Sequence, residues 1–336
     1  MIDLKGATRA GEWWDYKLVP IVTIYYCTIF LSGQPIAAHL LEALLLLLAM
    51  SVCATYVSLL NDMTDVADDL AAGKSNNMAG KPMFRQLLLL LPVLAIGAFF
   101  IFLWRDNGPL VACYAAAWLA FALYSIPPVR LKSRGLWGVV ADACGAHVFP
   151  TAVAVLLAFA ATHHPVDWNW FAASLCWTFG YGLRGILWHQ RLDQANDKLA
   201  GVRTFAVSSP RLAARIGAWL AFPLECIALS LLLWRLGHAL PVLALLVYLL
   251  LVMARVKQWR LNVTLTSTAP NYHILMQEYY ICFFPLAVLA ASTLRFPVDG
   301  AVIVIHVLLF PQQIIQALGE AWIVVGRPGK RWLQRR

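Results

Sequence analysis

Apolar residues run along most of the chain in long stretches that short polar segments separate. A helix needs about 20 such residues to cross a bilayer. The stretches predict an all-α polytopic membrane protein, a bundle of nine or ten transmembrane helices, because Pro285 and Pro311 interrupt the last two stretches. The ten predicted spans are 18–34, 37–60, 86–104, 109–126, 137–160, 168–189, 211–234, 239–255, 275–293 and 299–318.

The composition supports this class. Of the 336 residues, 61% are hydrophobic and only 13% are charged, against about 25% charged residues in a soluble domain. No polar segment is long enough for a separate domain, so we predict one membrane domain over 1–336. Residues 1–17 form a cytoplasmic segment without the short apolar core of a signal peptide. Residues 319–336 form a basic cytoplasmic tail suited to anionic lipid headgroups.

The distribution of charge predicts the orientation. Lys and Arg number 26 against 17 Asp and Glu, a net charge of +9, and basic residues concentrate on the cytoplasmic side of membrane proteins. With a cytoplasmic N-terminus, the predicted outer loops hold only Arg105, Arg235 and Arg295. We therefore predict cytoplasmic termini, and we attribute the positive charge to topology in a lipid bilayer rather than to a nucleic acid partner.

Four aspartates follow the second predicted helix in the stretch NDMTDVADD, residues 61–69. If that helix continues past Leu60, Asp62, Asp65 and Asp69 share one of its faces. A negative charge at a helix C-terminus meets the unfavourable end of the helix dipole, which weakens the explanation of a structural cap. The cluster is therefore either solvated or bound to a cation.

A second acidic pair, Asp193 and Asp197, lies at the predicted cytoplasmic end of the sixth helix, with His189 one turn earlier. Like charges four residues apart repel each other on a helix. A solvated helix end explains either cluster taken alone. Two clusters on the same membrane face favour two acidic walls around a diphosphate, because Mg²⁺ prefers carboxylate oxygens completed by substrate phosphates.

Three motifs in this order resemble those of the UbiA-type intramembrane prenyltransferases. The stretch NDMTDVADD matches the pattern NDxxDxxxD of that family, with Asp68 as an extra acid outside the pattern. The stretch YSIPPVRLKSRG (124–135) is similar to the family's loop after the fourth helix, and HQRLDQANDKLAGVRT (189–204) to its second aspartate motif. The resemblance covers roughly residues 10–290, and Lys81 stands where many members have arginine.

The resemblance implies transfer of a prenyl group from an isoprenoid diphosphate to a lipophilic acceptor, with Mg²⁺ as the cofactor and a central cavity that opens near the cytoplasmic face. Ionisation of the allylic diphosphate fits metals that stabilise the leaving group. The implied metal-binding residues are Asn61, Asp62, Asp65, Asp69, Asp193 and Asp197, of which the five aspartates are also the implied catalytic residues.

Basic side chains are expected to grip the phosphates, although each also fits the positive-inside pattern. They are Lys17, Lys81, Arg130, Lys132, Lys198 and Arg203. The expected substrate pocket contains Tyr124, Ser125, Asp142, His147 and His189.

Ionisable residues inside membrane helices tend to face a cavity or a partner. We place Asp142 and His147 in the acceptor cavity, where His147 could accept a proton; a buried structural histidine fits equally well. Arg184 is expected to pair with an embedded acid.

This chain departs from the common pattern of that family in two respects. The family's enzymes usually have nine transmembrane helices, whereas ten spans are predicted here. Its well-known quinone-pathway members have other residues at the positions of His189 and Gln190. The acceptor therefore stays open. The same aspartates would serve a terpene cyclase, which needs no acceptor, and a phosphoribosyl diphosphate could replace the prenyl donor. A transporter is a further alternative, although transporters place their coupling acids near the bilayer midplane.

Overall fold

The computed structural model describes residues 9–199, 201–268 and 270–326, without the side chains of Glu12 and Val325. Residues 1–8 of the predicted N-terminal segment and 327–336 of the predicted basic tail lie outside the described residues. The long helices are α1 (10–31), α2 (Leu40–Thr64), α3 (Met83–Leu103), α4 (Gly108–Ser125), α5 (Leu136–Ala161), α6 (Trp168–Leu192), α7 (Pro210–Leu236), α8 (Ala239–Trp259), α9 (Tyr279–Arg295), α10 (Pro297–Leu309) and α11 (Pro311–Gly326).

Helices therefore occur in all ten predicted spans. Within the described ranges, six helices are long and apolar enough to cross a membrane, namely α2 to α5, α7 and α8, or seven if α10 and α11 form one broken span. The protein is thus an all-α, multi-pass integral membrane protein, and the total of nine or ten spans stays a prediction. Shorter helical segments are Ile36–His39, Val66–Ala71, Leu131–Ser133, Gln194–Leu199 and Phe205–Ser208.

The tenth predicted span, 299–318, is not one straight helix. The backbone leaves the helical region at Phe310 (φ −127°, ψ 56°), and α11 begins at Pro311, a residue suited to the first helical position. The axes of α10 and α11 differ by 92°. The interruption expected at Pro311 is therefore a sharp turn, and hydropathy along the chain does not register the change in helix direction.

Four helices contain one wide π turn, and each π turn is followed by proline two residues after its end. A proline has no N–H group and its ring clashes with the carbonyl four residues earlier, so the widened turn accommodates a proline inside a helix. The turns are Trp14–Leu18, Cys144–Val148, Gly217–Ala221 and Tyr279–Phe283, followed by Pro20, Pro150, Pro223 and Pro285.

Helices α6 and α7 pack very closely. A Cβ atom placed on Gly180 would lie 2.7 Å from the carbonyl oxygen of Ala221. One turn later, Arg184 forms two hydrogen bonds to Glu225, at 2.6 Å from Nε and 2.8 Å from Nη2. The hydroxyl of Tyr280 in α9 also donates to Glu225, at 2.7 Å. The expected partner of Arg184 is therefore Glu225, and the buried pair joins three helices.

The segment between α8 and α9 folds back onto the bundle. It contains a short parallel strand pair, β1 (Asn262–Thr264) and β2 (Tyr272–Ile274), in which Asn262 pairs with Tyr272. Arg184 donates to the carbonyl of Leu265 at 3.2 Å. This segment thus contacts α6, and it also contacts α8 through the hydrogen bond between Tyr248 and His273.

Candidate active site

The first acidic motif does not form one continuous helix. Helix α2 ends at Thr64, Asp65 adopts a non-helical conformation (φ −108°, ψ 6°), and Val66–Ala71 forms a separate short helix. The helix expected to continue past Leu60 does so as far as Thr64 and is interrupted at Asp65. The three carboxylates Asp62, Asp65 and Asp69 contact different partners.

Two asparagines of the following loop hold this motif together. Asp62 is buried, with 1% of its side chain exposed, and accepts a hydrogen bond from Asn77 at 3.0 Å. The amide of Asn76 donates to Asp69 at 2.7 Å and to the carbonyl of Asp62 at 3.0 Å. Sequence reasoning missed both asparagines, although a polar loop directly after an acidic motif is a usable signal.

Asp65 faces the loop that follows α4. Its Oδ1 atom accepts from Arg130 Nη2 at 3.0 Å and from Lys132 Nζ, and Asp68 binds the same Arg130 nitrogen. Burial opposes the charge on Arg130, but its bonds to Asp68 and Asp65 outweigh this and raise the pKa of the guanidinium. For Lys132, burial prevails over the attraction of Asp65, and the pKa is lowered.

The end of α4 contributes both of its predicted pocket residues. Ser125 is buried and donates a hydrogen bond to the side-chain oxygen of Asn61. The Tyr124 hydroxyl lies within electrostatic range of Asp142, Asp65 and Asp197. Tyr124 is thus electrostatically coupled to acids of both motifs and to Asp142, which is half-buried on α5.

The second acidic pair lies where α6 ends. Asp193 caps the helix and lies 3.6 Å from His189 Nε2, and Asp197 follows in the short helix Gln194–Leu199. Thr204 donates to Asp197 at 3.1 Å. Burial and the charge of Asp193 raise the pKa of the Asp197 carboxyl, although the hydrogen bond from Thr204 and the charge of Lys74 act in the opposite direction.

The two motifs meet through Lys74, a residue that sequence reasoning did not single out. Its backbone N–H donates to the Asp69 carbonyl at 2.8 Å, and its ammonium lies 3.4 Å from Asp193 Oδ1. A basic side chain from the loop after the first motif thus reaches the second motif. The two acidic motifs are therefore neighbours in the structure.

Three predicted phosphate-binding residues do not contact the acids. Lys81 donates to the backbone carbonyl of Asn77 and is exposed to solvent. Lys198 and Arg203 are also exposed, and in the part of the chain that the structure describes neither side chain touches an acid of either motif.

Lys17 and His147 both occupy π turns, those of α1 and α5. The imidazole of His147 is 6% exposed, lies within electrostatic range of Lys17 and packs edge-on against Tyr181 at 5.2 Å. Among the described residues its Nδ1 atom has no hydrogen-bond partner. Pro20 frees the carbonyl of Tyr16, which accepts from the Tyr181 hydroxyl at 3.1 Å.

The donor atoms suit a hard divalent cation. Carboxylate oxygens and the Asn61 amide oxygen are what Mg²⁺ prefers, and Mg²⁺ usually takes only one or two carboxylates plus substrate phosphates. No group of three or more His, Cys, Asp or Glu side chains converges on one point within the described ranges. Four basic side chains contact these acids: Arg9 lies 3.6 Å from Asp62, Arg130 and Lys132 contact Asp65, and Lys74 contacts Asp193.

Comparison with known proteins defines the class. The family model of the UbiA prenyltransferase family matches residues 21–277. The chain therefore belongs to the UbiA prenyltransferase family. No curated protein matches the chain at a significant level.

The fold is similar to that of a UbiA homolog from Archaeoglobus fulgidus in its structure with GPP and Mg²⁺. The structure bound to GPP and Mg²⁺ matches with a TM-score of 0.53 and 19% identity, over 89% of this chain and 98% of that chain. The structure bound to DMAPP and Mg²⁺ matches with a TM-score of 0.47 and 14% identity, over 96% of this chain and 99% of that chain.

Proposed function

We propose that this protein transfers a prenyl group from an isoprenoid diphosphate to a lipophilic acceptor in a Mg²⁺-dependent reaction. The observation that carries the proposal is the contact between Lys74 and Asp193, which unites two acidic motifs in one site bordered by basic side chains. Family membership and the GPP and Mg²⁺ described for the A. fulgidus homolog support it. The mouth of the site and both termini are proposed to be cytoplasmic.

The acids are proposed to divide between two metal sites. Asn61, Asp62, Asp65 and Asp69 would hold one Mg²⁺, and Asp193 and Asp197 the other. When bound, Mg²⁺ stabilises the negative charge that develops on the leaving diphosphate as the allylic C–O bond ionises. The raised pKa of the Asp197 carboxyl fits this assignment, because a nearby cation would remove the cost of its ionisation.

The basic residues are proposed to exchange partners. Arg130 and Lys132 contact Asp65, and Lys74 contacts Asp193. Each of these basic side chains can turn from a carboxylate to a phosphate oxygen without leaving the site. The planar guanidinium of Arg130 can donate two N–H hydrogen bonds to a phosphate. Lys81, Lys198 and Arg203 would act less directly, by attracting the anionic substrate to the mouth.

The acceptor pocket is proposed to lie deeper in the bundle than the acids. Tyr124 and Ser125 would form its upper wall, with Asp142 and His189 nearby. His147 is buried and has a free ring nitrogen among the described residues, so it is placed to accept the proton that the acceptor loses on alkylation. Lys17, within electrostatic range of His147, would bind an electron-rich oxygen of the substrate.

An aromatic wall next to this pocket favours a cationic intermediate. The ring of Trp177 lies 5.0 Å from Tyr280 and Tyr181 lies 5.4 Å from Tyr280. Aromatic faces attract cations, and buried rings exclude the water that would quench an allylic cation. This feature suits the transferase and the terpene cyclase equally.

Pyrophosphate release separates the two reactions. Purified protein in detergent receives Mg²⁺ and C10 to C20 allylic diphosphates, with or without a lipid extract as the source of acceptor. Release that requires the extract supports transfer, and a labelled product then identifies the acceptor. Release without the extract, with a hydrocarbon or alcohol as the product, supports the cyclase. No release under either condition rejects both.

A further inference from the structure

Asp68 is an acid outside the family pattern that nevertheless contacts the site. It lies in the short helix Val66–Ala71, three residues after Asp65, with 31% of its side chain exposed. Its Oδ2 atom accepts a hydrogen bond from Nη2 of Arg130. The same nitrogen donates to Asp65 Oδ1 at 3.0 Å. One guanidinium nitrogen is therefore shared between an acid of the motif and an acid outside it.

The formal charges of the ion pairs around Asp65 are balanced. Asp65 and Asp68 carry two negative charges, and Arg130 and Lys132 carry two positive charges, which sum to zero. Both basic groups use the same oxygen of Asp65, its Oδ1 atom. Asp65 cannot bind a divalent cation through that oxygen while it holds both groups, because like charges at contact distance repel strongly.

We propose that Asp68 is a positioning residue: it retains Arg130 at the site when Asp65 releases this arginine and turns to Mg²⁺. The inference rests on the proposed function. Because the same Nη2 atom already binds both carboxylates, the release requires no movement of the loop. The remaining guanidinium donors then stay directed at the site, ready for a phosphate oxygen.

The backbone of Arg130 supports this role. Arg130 has φ +37°, in the left-handed region, directly before the short helix Leu131–Ser133. Its contacts to the two acids are made through Nη2, whereas Nε is buried and has no hydrogen-bond partner among the described residues. Without Asp68, Asp65 would be the only acid that Arg130 contacts within those residues. Arginine and metal would then compete directly for one carboxylate.

The test measures metal binding by the full-length protein in detergent without substrate. Mn²⁺ is the probe, because carboxylate sites that suit Mg²⁺ also suit Mn²⁺ and free Mn²⁺ is counted directly by electron paramagnetic resonance. We expect Asp68→Asn to raise the Mn²⁺ concentration at half-saturation by about 3-fold, in line with the strength of a partly exposed ion pair. Asp68→Glu keeps the carboxylate and should restore the wild-type midpoint.

A double-mutant cycle distinguishes this role from a general effect of charge. In an Arg130→Met background, Asp68→Asn should no longer change the midpoint, because the competing arginine is absent. An equal shift in both backgrounds would overturn the proposal, as would an unchanged midpoint in Asp68→Asn alone. Asp106→Asn, an exposed acid of the loop between α3 and α4, is the matched control and should bind Mn²⁺ like the wild type.

The wild-type titration keeps this inference separate from the proposed function. Absence of Mn²⁺ binding by the wild-type protein would reject the metal assignment, and with it the role of Asp68. Normal binding by the wild type together with an unchanged Asp68→Asn midpoint would reject only the role of Asp68. A circular dichroism melt of each variant confirms that the compared proteins are folded.

Discussion

The ammonium group of Lys74 lies 3.4 Å from Oδ1 of Asp193, although the two residues belong to loops at the ends of different helices. Both side chains are about one-third exposed, and an ion pair of this kind stabilises a protein by only about 0–1 kcal/mol. The contact therefore matters less for stability than for charge. It places a cation at the second acidic motif, where the proposed reaction needs one.

The variant Lys74→Met tests whether the lysine contributes charge to the reaction rather than stability to the fold. We expect the melting temperature to change by less than about 3 °C, while the KM for the allylic diphosphate rises several-fold because a phosphate partner is lost. Thermal melts and steady-state pyrophosphate release measure the two effects. A large loss of thermal stability with an unchanged KM would show that Lys74 serves only the fold.

The acids of each motif are expected to be essential for turnover. Asp65→Asn and Asp193→Asn should each reduce pyrophosphate release by at least about 100-fold, because a preorganised charge at the leaving group is lost. Melting temperatures should stay close to the wild-type value, since both side chains are partly exposed. Asp106→Asn is the control for the loss of a carboxylate. Wild-type turnover in either motif variant would contradict the assignment of two metal sites.

Removal of metal is a separate test. Pyrophosphate release should stop when a chelator is added and return with excess Mg²⁺, because carboxylates alone cannot neutralise the leaving group. Ca²⁺ is expected to restore activity less well, since it prefers larger and more flexible coordination. Full activity in chelator would reject metal-assisted ionisation.

The pair Arg184–Glu225 is expected to control stability. Both side chains are at most 2% exposed, and removal of one partner from a buried ion pair typically costs about 3–5 kcal/mol. Arg184→Met should therefore lower the melting temperature strongly. The double variant Arg184→Leu with Glu225→Leu should recover part of the loss, but not all, because Tyr280 would lose its acceptor.

The exposed pair Arg235–Asp167 provides the control for this effect. Arg235→Met removes the same kind of charge from a partly exposed ion pair, so we expect a change of at most about 1 kcal/mol. Equal losses of stability in Arg184→Met and Arg235→Met would show that burial does not increase the contribution of the Arg184–Glu225 pair to stability.

Two glycines of α6 offer a matched comparison of packing. A Cβ atom on Gly180 would lie 2.7 Å from the Ala221 carbonyl, whereas one on Gly185 would meet nothing within 4 Å. Gly180→Ala should destabilise the protein by about 1–3 kcal/mol through overpacking. Gly185→Ala should be neutral or stabilising, because alanine favours helix by about 1 kcal/mol over glycine. Equal melting temperatures would contradict the close approach of α6 and α7.

The sequence predicted the helices well, because the length of an apolar run can be read from the local sequence and has to match the thickness of the bilayer. It also located both acidic motifs at helix ends, and the resemblance to a family assigned them a chemistry. It did not predict that α2 breaks at Asp65 or that α10 and α11 turn by 92° at Phe310. Both features depend on how neighbouring helices pack, which hydropathy does not record.

What the sequence by itself determined is the class of the molecule and the types of residue at its site. Only the tertiary structure decided which charges meet: Arg184 with Glu225, Arg130 with both Asp65 and Asp68, and Lys74 with Asp193. The physical reason is that an ionisable side chain in an apolar bundle must find a partner within a few ångströms. The choice of partner depends on which helix faces which, and residues far apart in the chain settle it together.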